Sequence, residues 1–185
     1  MTNHIDLGSV LRQTLAATLY SNLVTRPTGA AVRTQIELLI GETRTGSHAL
    51  TVIDFSHVSM IDFSCADEII AKLLLQHASH PTRESYFVFR GMNEDHWIAI
   101  ETVLERHGLA LVVERDEGVD LMGVLAEHER RAWESVKRRG RTAAADLAGD
   151  LGETESAARS ALDGLWRRRL IMRLGDAYMP VGETS

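Results

Sequence analysis

Two hydrophobic rhythms divide the chain. Leu50-Thr-Val-Ile-Asp-Phe55 is a short β-rich run between Gly46-Ser47 and Ser56-His57, and it predicts a strand. Before it, Val32, Ile36, Leu39 and Ile40 recur at helical spacing, which predicts a helix over residues 29–40 with Thr25-Arg-Pro-Thr-Gly29 as its lead-in loop. Residues 10–24 read two ways: Leu11, Leu15 and Leu19 suit a helix, while residues 18–25 suit a strand equally well. After Phe55 the spacing of Ile69, Ile70, Leu73 and Leu74 predicts a helix over residues 64–76. Ser64 is the expected N-cap, and Asp67-Glu68 fall in the first turn, where carboxylates favour the helix dipole. A second strand is expected at residues 84–89, a helix at 93–107 stopped by Gly108, and a third strand at 109–114. Strand and helix alternate throughout. This implies βαβ crossovers and an α/β fold whose sheet is at least partly parallel and is flanked by helices.

The rhythm changes after Glu117. Residues 119–136 read as helical, with 119–125 as a linking turn. A short helix is expected at 142–151, a turn at Gly152 and a longer helix at 153–169. Residues 170–180 read as two short strands around Gly175-Asp176, a hairpin signal. Three helices and a β-hairpin make the winged variant of helix-turn-helix. The expected organisation is therefore an α/β domain over 1–117, a linker or connecting helix over 118–127, and a C-terminal winged-helix domain over 128–185.

Composition narrows the function classes. With 44% hydrophobic and 25% charged residues, the 185-residue chain has the material for a folded core. No apolar run approaches the roughly 20 residues that span a bilayer. Residues 1–6 lack the basic and apolar regions of a signal peptide, and the single cysteine, Cys65, suits a reducing compartment, so the expected location is cytoplasmic. The net charge of −6 argues against non-specific nucleic-acid binding. The charge is uneven, however: residues 128–185 hold 11 Lys/Arg against 9 Asp/Glu, so the acidity lies in the first part of the chain.

Candidate chemistry is concentrated at Asp62, Ser64, Asp67 and Glu68. Ser64 at a helix start either caps the helix or offers its hydroxyl to a phosphate or a partner. The three carboxylates suit a solvated helix entrance or a partner surface better than a metal or acid/base site, because nothing nearby would cradle a substrate. Asp54, at a strand end, is expected to bind loop amides. Cys65 has no partner base identifiable by spacing and reads as a packing residue. His77 and His80 flank a helix end, and zinc-type spacing is absent, so no metal is expected. Phosphate-loop, dinucleotide and nucleophile-elbow motifs are absent as well, and the expectation is a non-enzymatic protein without cofactor.

In the C-terminal part, the second helix of the pair would present Glu153, Thr154, Glu155 and Ser156 to a DNA groove, an unfavourable set beside phosphates. The cations able to grip a DNA backbone are Lys137, Arg138, Arg139, Arg141, Arg159 and Arg173. The alternative is that these are solvated helix ends and that the domain binds protein or dimerises. Trp133 and Trp166 are expected in the core of this part, and Trp97 in that of the first.

The stretch Thr51-Val-Ile-Asp-Phe-Ser-His-Val-Ser-Met-Ile-Asp-Phe-Ser-Cys-Ala-Asp-Glu-Ile-Ile70 resembles the core of STAS domains. That family shows an apolar strand ending in Asp-Leu/Phe, a short loop, and Asp-Ser-Ser-Gly opening a helix. Asp54 and Asp62 stand at the two aspartates and Ser64 at the second serine, which is the phosphoacceptor in anti-sigma-factor antagonists. Phe63 replaces the first serine and Cys65 the glycine, as in a divergent STAS-like branch. The resemblance covers roughly the first two-thirds of the chain. It implies a regulatory protein that switches partners, docking through Asp62, Ser64, Asp67 and Glu68 on a histidine-kinase-like ATPase or an anti-sigma factor. The C-terminal third resembles a generic winged helix. The alternative is therefore a DNA-binding transcriptional regulator whose STAS-like domain senses a signal or dimerises.

Overall fold

The computed structural model describes residues 2–15, 22–42, 48–78 and 84–182. A five-stranded sheet is built from β1 (Thr2–Asp6), β3 (His48–Asp54), β5 (Glu84–Arg90), β6 (Ala110–Arg115) and β7 (Gly118–Gly123), in the order β1-β3-β5-β6-β7. The first four strands run parallel and β7 returns antiparallel to β6. The chain is thus α/β with a mostly parallel sheet, as the alternation of elements implied.

Two of these strands depart from the sequence expectation. β1 is an edge strand of mostly polar residues, Thr-Asn-His-Ile-Asp, in which only Ile5 is buried. β7 occupies residues expected to form a linker or helix (118–127, and 119–136 as one helix). Its alternation is clear once placed: Val119 and Leu121 face one core and Met122 the other. Gly118 and Gly123 frame it with φ of 110° and 106°. At Gly123 a Cβ would lie 2.5 Å from the Leu109 carbonyl, so only glycine fits.

The ambiguous segment resolves in part. α1 (Leu7–Leu15) is helical, with Asp6 accepting from Gly8 N at 3.0 Å and Ser9 Oγ at 2.7 Å, and β2 (Asn22–Leu23) is a short strand. Residues 16–21 of that segment lie outside the described residues. β2 pairs in parallel with β4 (Met60–Ile61) to form a separate two-stranded sheet. α2 spans Arg26–Glu42, and α5 spans Glu94–His107 with Asn93 as N-cap and Gly108 in the left-handed region at its end. α3 (Phe63–Ala66), a π-helical turn (Asp67–Ala71) and α4 (Lys72–Ala78) follow one another without a break. These helices cover one face of the sheet, on Ile5, Ile53, Phe87, Phe89, Leu111 and Val113.

The opposite face carries Val52, Tyr86, Val88, Ala110, Val112, Val119 and Leu121. They share a second core with α6 (Glu127–Arg139), α7 (Ala144–Leu151), α8 (Glu155–Arg167) and the antiparallel hairpin of β8 (Ile171–Leu174) and β9 (Ala177–Pro180). Trp133 is buried in it, with Nε1 donating to the Leu170 carbonyl at 3.3 Å, and Trp166 is partly buried against it. Thr142, between α6 and α7, bridges to Tyr178 of the hairpin.

Candidate functional site

The corner that opens α3 leaves the small β2–β4 sheet rather than the central one. Its organising group is Asp62. The sequence placed the N-cap at Ser64, but Asp62 caps the helix: its backbone is extended and its Oδ1 accepts from Cys65 N at 2.7 Å. Ser64 sits inside the first turn, half-buried, and its hydroxyl donates to the same Oδ1 at 2.9 Å. Asp62 Oδ2 accepts from Thr25 N at 2.9 Å, which ties the corner to the start of α2.

Thr25 is the strained element. Its φ of 75° is rare for a β-branched residue. Its amide donates to Asp62, its carbonyl accepts from the Cys65 thiol at 3.0 Å and from Gly29 N at 3.1 Å, and its hydroxyl bonds that of Thr28 at 3.1 Å. Burial raises the Asp62 pKa, but the hydrogen bonds from Thr25 N, Cys65 N and the Ser64 hydroxyl outweigh it and hold the carboxyl below its usual range. Cys65 is fully buried. Burial first, and then the Asp62 charge, push its thiol up to about 12, so it stays protonated at neutral pH.

Asp67 and Glu68 are not the solvated entrance expected of them. Glu68 is 2% exposed and Asp67 is 9% exposed. Arg26 Nη1 reaches both, at 2.9 Å to Asp67 and 2.8 Å to Glu68; Lys72 also binds Glu68, and His107 Nε2 lies 2.7 Å from Asp67. Burial raises both carboxyl pKa values. Hydrogen bonds, from His107 and Arg26 on Asp67 and from Lys72 and Arg26 on Glu68, bring them below the usual range. The two acids therefore tie the π-helical turn to α2, α4 and α5 beneath the corner. What the corner offers outward is Met60, 45% exposed, with Phe63 half-buried beneath the Arg106 guanidinium. Asp54, as expected, binds a loop amide (Ser56 N, 2.8 Å) and pairs with Arg90.

Most of the C-terminal cations are held by acids or lie over aromatic rings. Arg138 and Arg139 both bind Asp150, Arg139 through two nitrogens. Arg159 pairs with Glu155 one turn earlier. Arg173 lies over Trp166 and Tyr178 and donates to the Gly175 carbonyl, and Lys137 lies over Trp133. Arg141 is exposed and makes no ion pair among the described residues. Among these pairings, only the i,i+4 spacing of Glu155 and Arg159 is visible along the chain.

Among the described residues no group of three or more His, Cys, Asp or Glu gathers as a metal site would require. His77 lies edge-on to Phe87, and His80 is outside the described residues. No described helix is long and apolar enough to cross a membrane. Comparison with protein-family models and with curated proteins finds no match to this chain.

Proposed function

We propose that this is a non-enzymatic, cytoplasmic regulatory protein that acts by exchanging protein partners. In this reading the STAS-like part docks a partner at the Met60–Ser64 corner, and the C-terminal winged-helix part is a second interaction module. The observation that carries it is the sharing of one carboxylate, Asp62, between the Ser64 hydroxyl and the strained Thr25 amide. A kinase that moves a phosphoryl group from ATP to Ser64 Oγ releases the hydroxyl proton, and the donor to Asp62 is lost. A phosphate of nearly two negative charges then stands beside a carboxylate. Asp62 must turn away, Thr25 loses its anchor, and the start of α2 relaxes. The change would be felt in the outward surface and so in partner affinity. By resemblance, the partner is a histidine-kinase-like ATPase or an anti-sigma factor. Asp67 and Glu68 enter as the internal frame of this corner rather than as contact residues.

The test compares capture by the full-length wild type, Ser64→Ala and Ser64→Asp. A protein bound by the wild type is then purified and titrated against all three. Weakened binding by Ser64→Asp, with near-normal binding by Ser64→Ala, supports the reading. Equal affinities, together with an unmodified Ser64 by mass spectrometry after incubation with that partner and ATP, refute the switch. The second reading, a DNA-binding regulator, is favoured by exposed Arg141 beside the Thr142–Tyr178 bridge. Salt-sensitive binding to duplex DNA that is weakened by Arg141→Ala would establish it.

A further inference from the structure

The turn between α8 and β8 carries a residue that local structure alone does not explain. Arg169 follows the last residues of α8 with a φ of 62°, in the left-handed region. Leu170 N closes back on the Leu165 carbonyl at 3.0 Å, and Arg169 N on that of Trp166 at 2.9 Å. A helix stop of this form ordinarily uses glycine, because an L side chain is strained there. Here an arginine occupies it and is 7% exposed. A strained backbone and a buried cation both oppose folding, so the side chain must be doing something that glycine could not.

Its surroundings show what that is. The guanidinium lies 5.9 Å from the ring centre of Tyr86, on the central strand β5, and 5.7 Å from that of Trp166, on α8. On the sheet side, the Tyr86 hydroxyl donates to Glu84 at 2.6 Å, and Glu84 pairs with His48 at 3.1 Å on the neighbouring strand. On the other side, Trp166 also carries Arg173 at 5.3 Å, and Arg173 covers Tyr178. The Tyr178 hydroxyl donates to Asp163 of α8 at 2.6 Å. Cation and ring alternate from the sheet to the hairpin: Arg169 lies against both Tyr86 of the sheet and Trp166 of α8, at a seam where Trp166 also reaches the Tyr86 hydroxyl and the two bodies share an apolar core. Its neighbour Arg168 pins the same turn from outside, binding Glu129 at 2.8 Å and the Val124 carbonyl.

We propose that Arg169 is a coupling residue: its guanidinium, held between Tyr86 and Trp166, locks the α8–hairpin unit to the central sheet so that the two open together. A displacement of the Tyr86 ring is thereby transmitted to the hairpin and to Arg173. This is independent of the proposed role of Ser64.

Hydrogen exchange by mass spectrometry on the full chain tests it, with Arg169→Gly, Arg169→Lys and Tyr86→Phe. Glycine suits the left-handed turn, so Arg169→Gly removes the side chain while relieving the backbone and is expected to fold. In the wild type the slowest amides of β5 and of the β8–β9 hairpin should exchange at similar rates, and markedly different rates would overturn the coupling. In Arg169→Gly, hairpin amides should exchange about tenfold or more faster while β5 keeps its protection. Arg169→Lys, which cannot stack a planar group on both rings, should behave similarly, whereas Tyr86→Phe keeps the ring and should leave the hairpin protected. Unchanged or greater hairpin protection in Arg169→Gly would overturn the proposal, as would equal loss of protection in hairpin and β5.

Discussion

Gly29 and Gly41 lie in the same helix, α2, and substituting each by alanine should move stability in opposite directions. At Gly41 an added Cβ meets nothing within 4 Å among the described residues. Alanine there gains helix propensity, at most about 1 kcal/mol and nearer 0.5 so close to a helix end. At Gly29 an added Cβ would stand 2.9 Å from Cys65 Cα, 3.0 Å from Glu68 Cβ and 3.3 Å from Cys65 Sγ. Carbon atoms rest at about 3.5–4.0 Å, and Cys65 Cα is backbone that cannot swing aside. α2 and α3 must separate by about half an ångström or more. Overpacking of this kind costs roughly 1–3 kcal/mol, against which the propensity gain is small, so a net loss of about 1–2 kcal/mol is expected.

Urea unfolding of the full chain measures both variants, with the midpoint falling for Gly29→Ala and rising slightly for Gly41→Ala at unchanged slope. A second readout ties packing to the site. Separation of the helices weakens the bond between the Cys65 thiol and Thr25, so Cys65 should react faster with a thiol reagent in Gly29→Ala and at the wild-type rate in Gly41→Ala. If both alanines stabilise, the close approach at Gly29 is wrong, and with it the geometry that places Asp62, Ser64 and Thr25 in one cluster.

Asp62→Ala removes the cap of α3, worth about 1 kcal/mol, and also the anchor of Thr25. Asp62→Asn should be nearly as damaging in urea unfolding, because its amide group sets a donor against either Thr25 N or Cys65 N; full retention of stability by asparagine would contradict the double acceptance. pH dependence should fall in two windows. Burial lowers the pKa of His96, against smaller opposing contacts from Val58 and Ser59, so the unfolded chain takes up a proton first and stability should decline as the pH drops below about 6.5. His96→Asn, which keeps an acceptor for the Asn93 amide, should flatten that decline in denaturation midpoints measured between pH 7 and 5. The carboxyls of Asp62, Asp67 and Glu68 are lowered by folding, so their contribution is present above about pH 4 and is lost below it.

The strands with continuous apolar runs and the helix between Asn93 and Gly108 were legible because local chemistry decides them. β1 was not, since its strand identity comes from pairing with β3 and only Ile5 of its five residues is buried. β7 was not, because four alternating residues were outweighed by the helical rhythm that resumes at Glu127. At the corner, both Asp62 and Ser64 are good cap residues, and the contest between them is settled by Thr25, 37 residues upstream in sequence. The burial of Asp67 and Glu68 was invisible for the same reason, since Arg26 and His107 lie about 40 residues away along the chain. The arginines of α6 likewise read as candidate DNA contacts until Asp150 came within reach.

The sheet itself explains why the C-terminal helices lie where they do. Strands β1, β3, β5 and β6 follow one another in space in chain order, and the helices between them all pack on one face. A sheet wound in this way leaves its second face without cover from the connections. Yet Tyr86-Phe-Val-Phe89 and Ala110-Leu-Val-Val113 are apolar at every position, a pattern suited to strands buried on both sides. Water on Tyr86, Val88 and Val112 would forfeit roughly 1.5–3 kcal/mol per large side chain. Among the described residues it is the segment after β7 that covers them. The C-terminal unit is therefore a layer of the fold as well as a candidate module. Any partner that acts through it must bind the surface turned away from the sheet, or else lift it off an apolar face that water cannot cover cheaply.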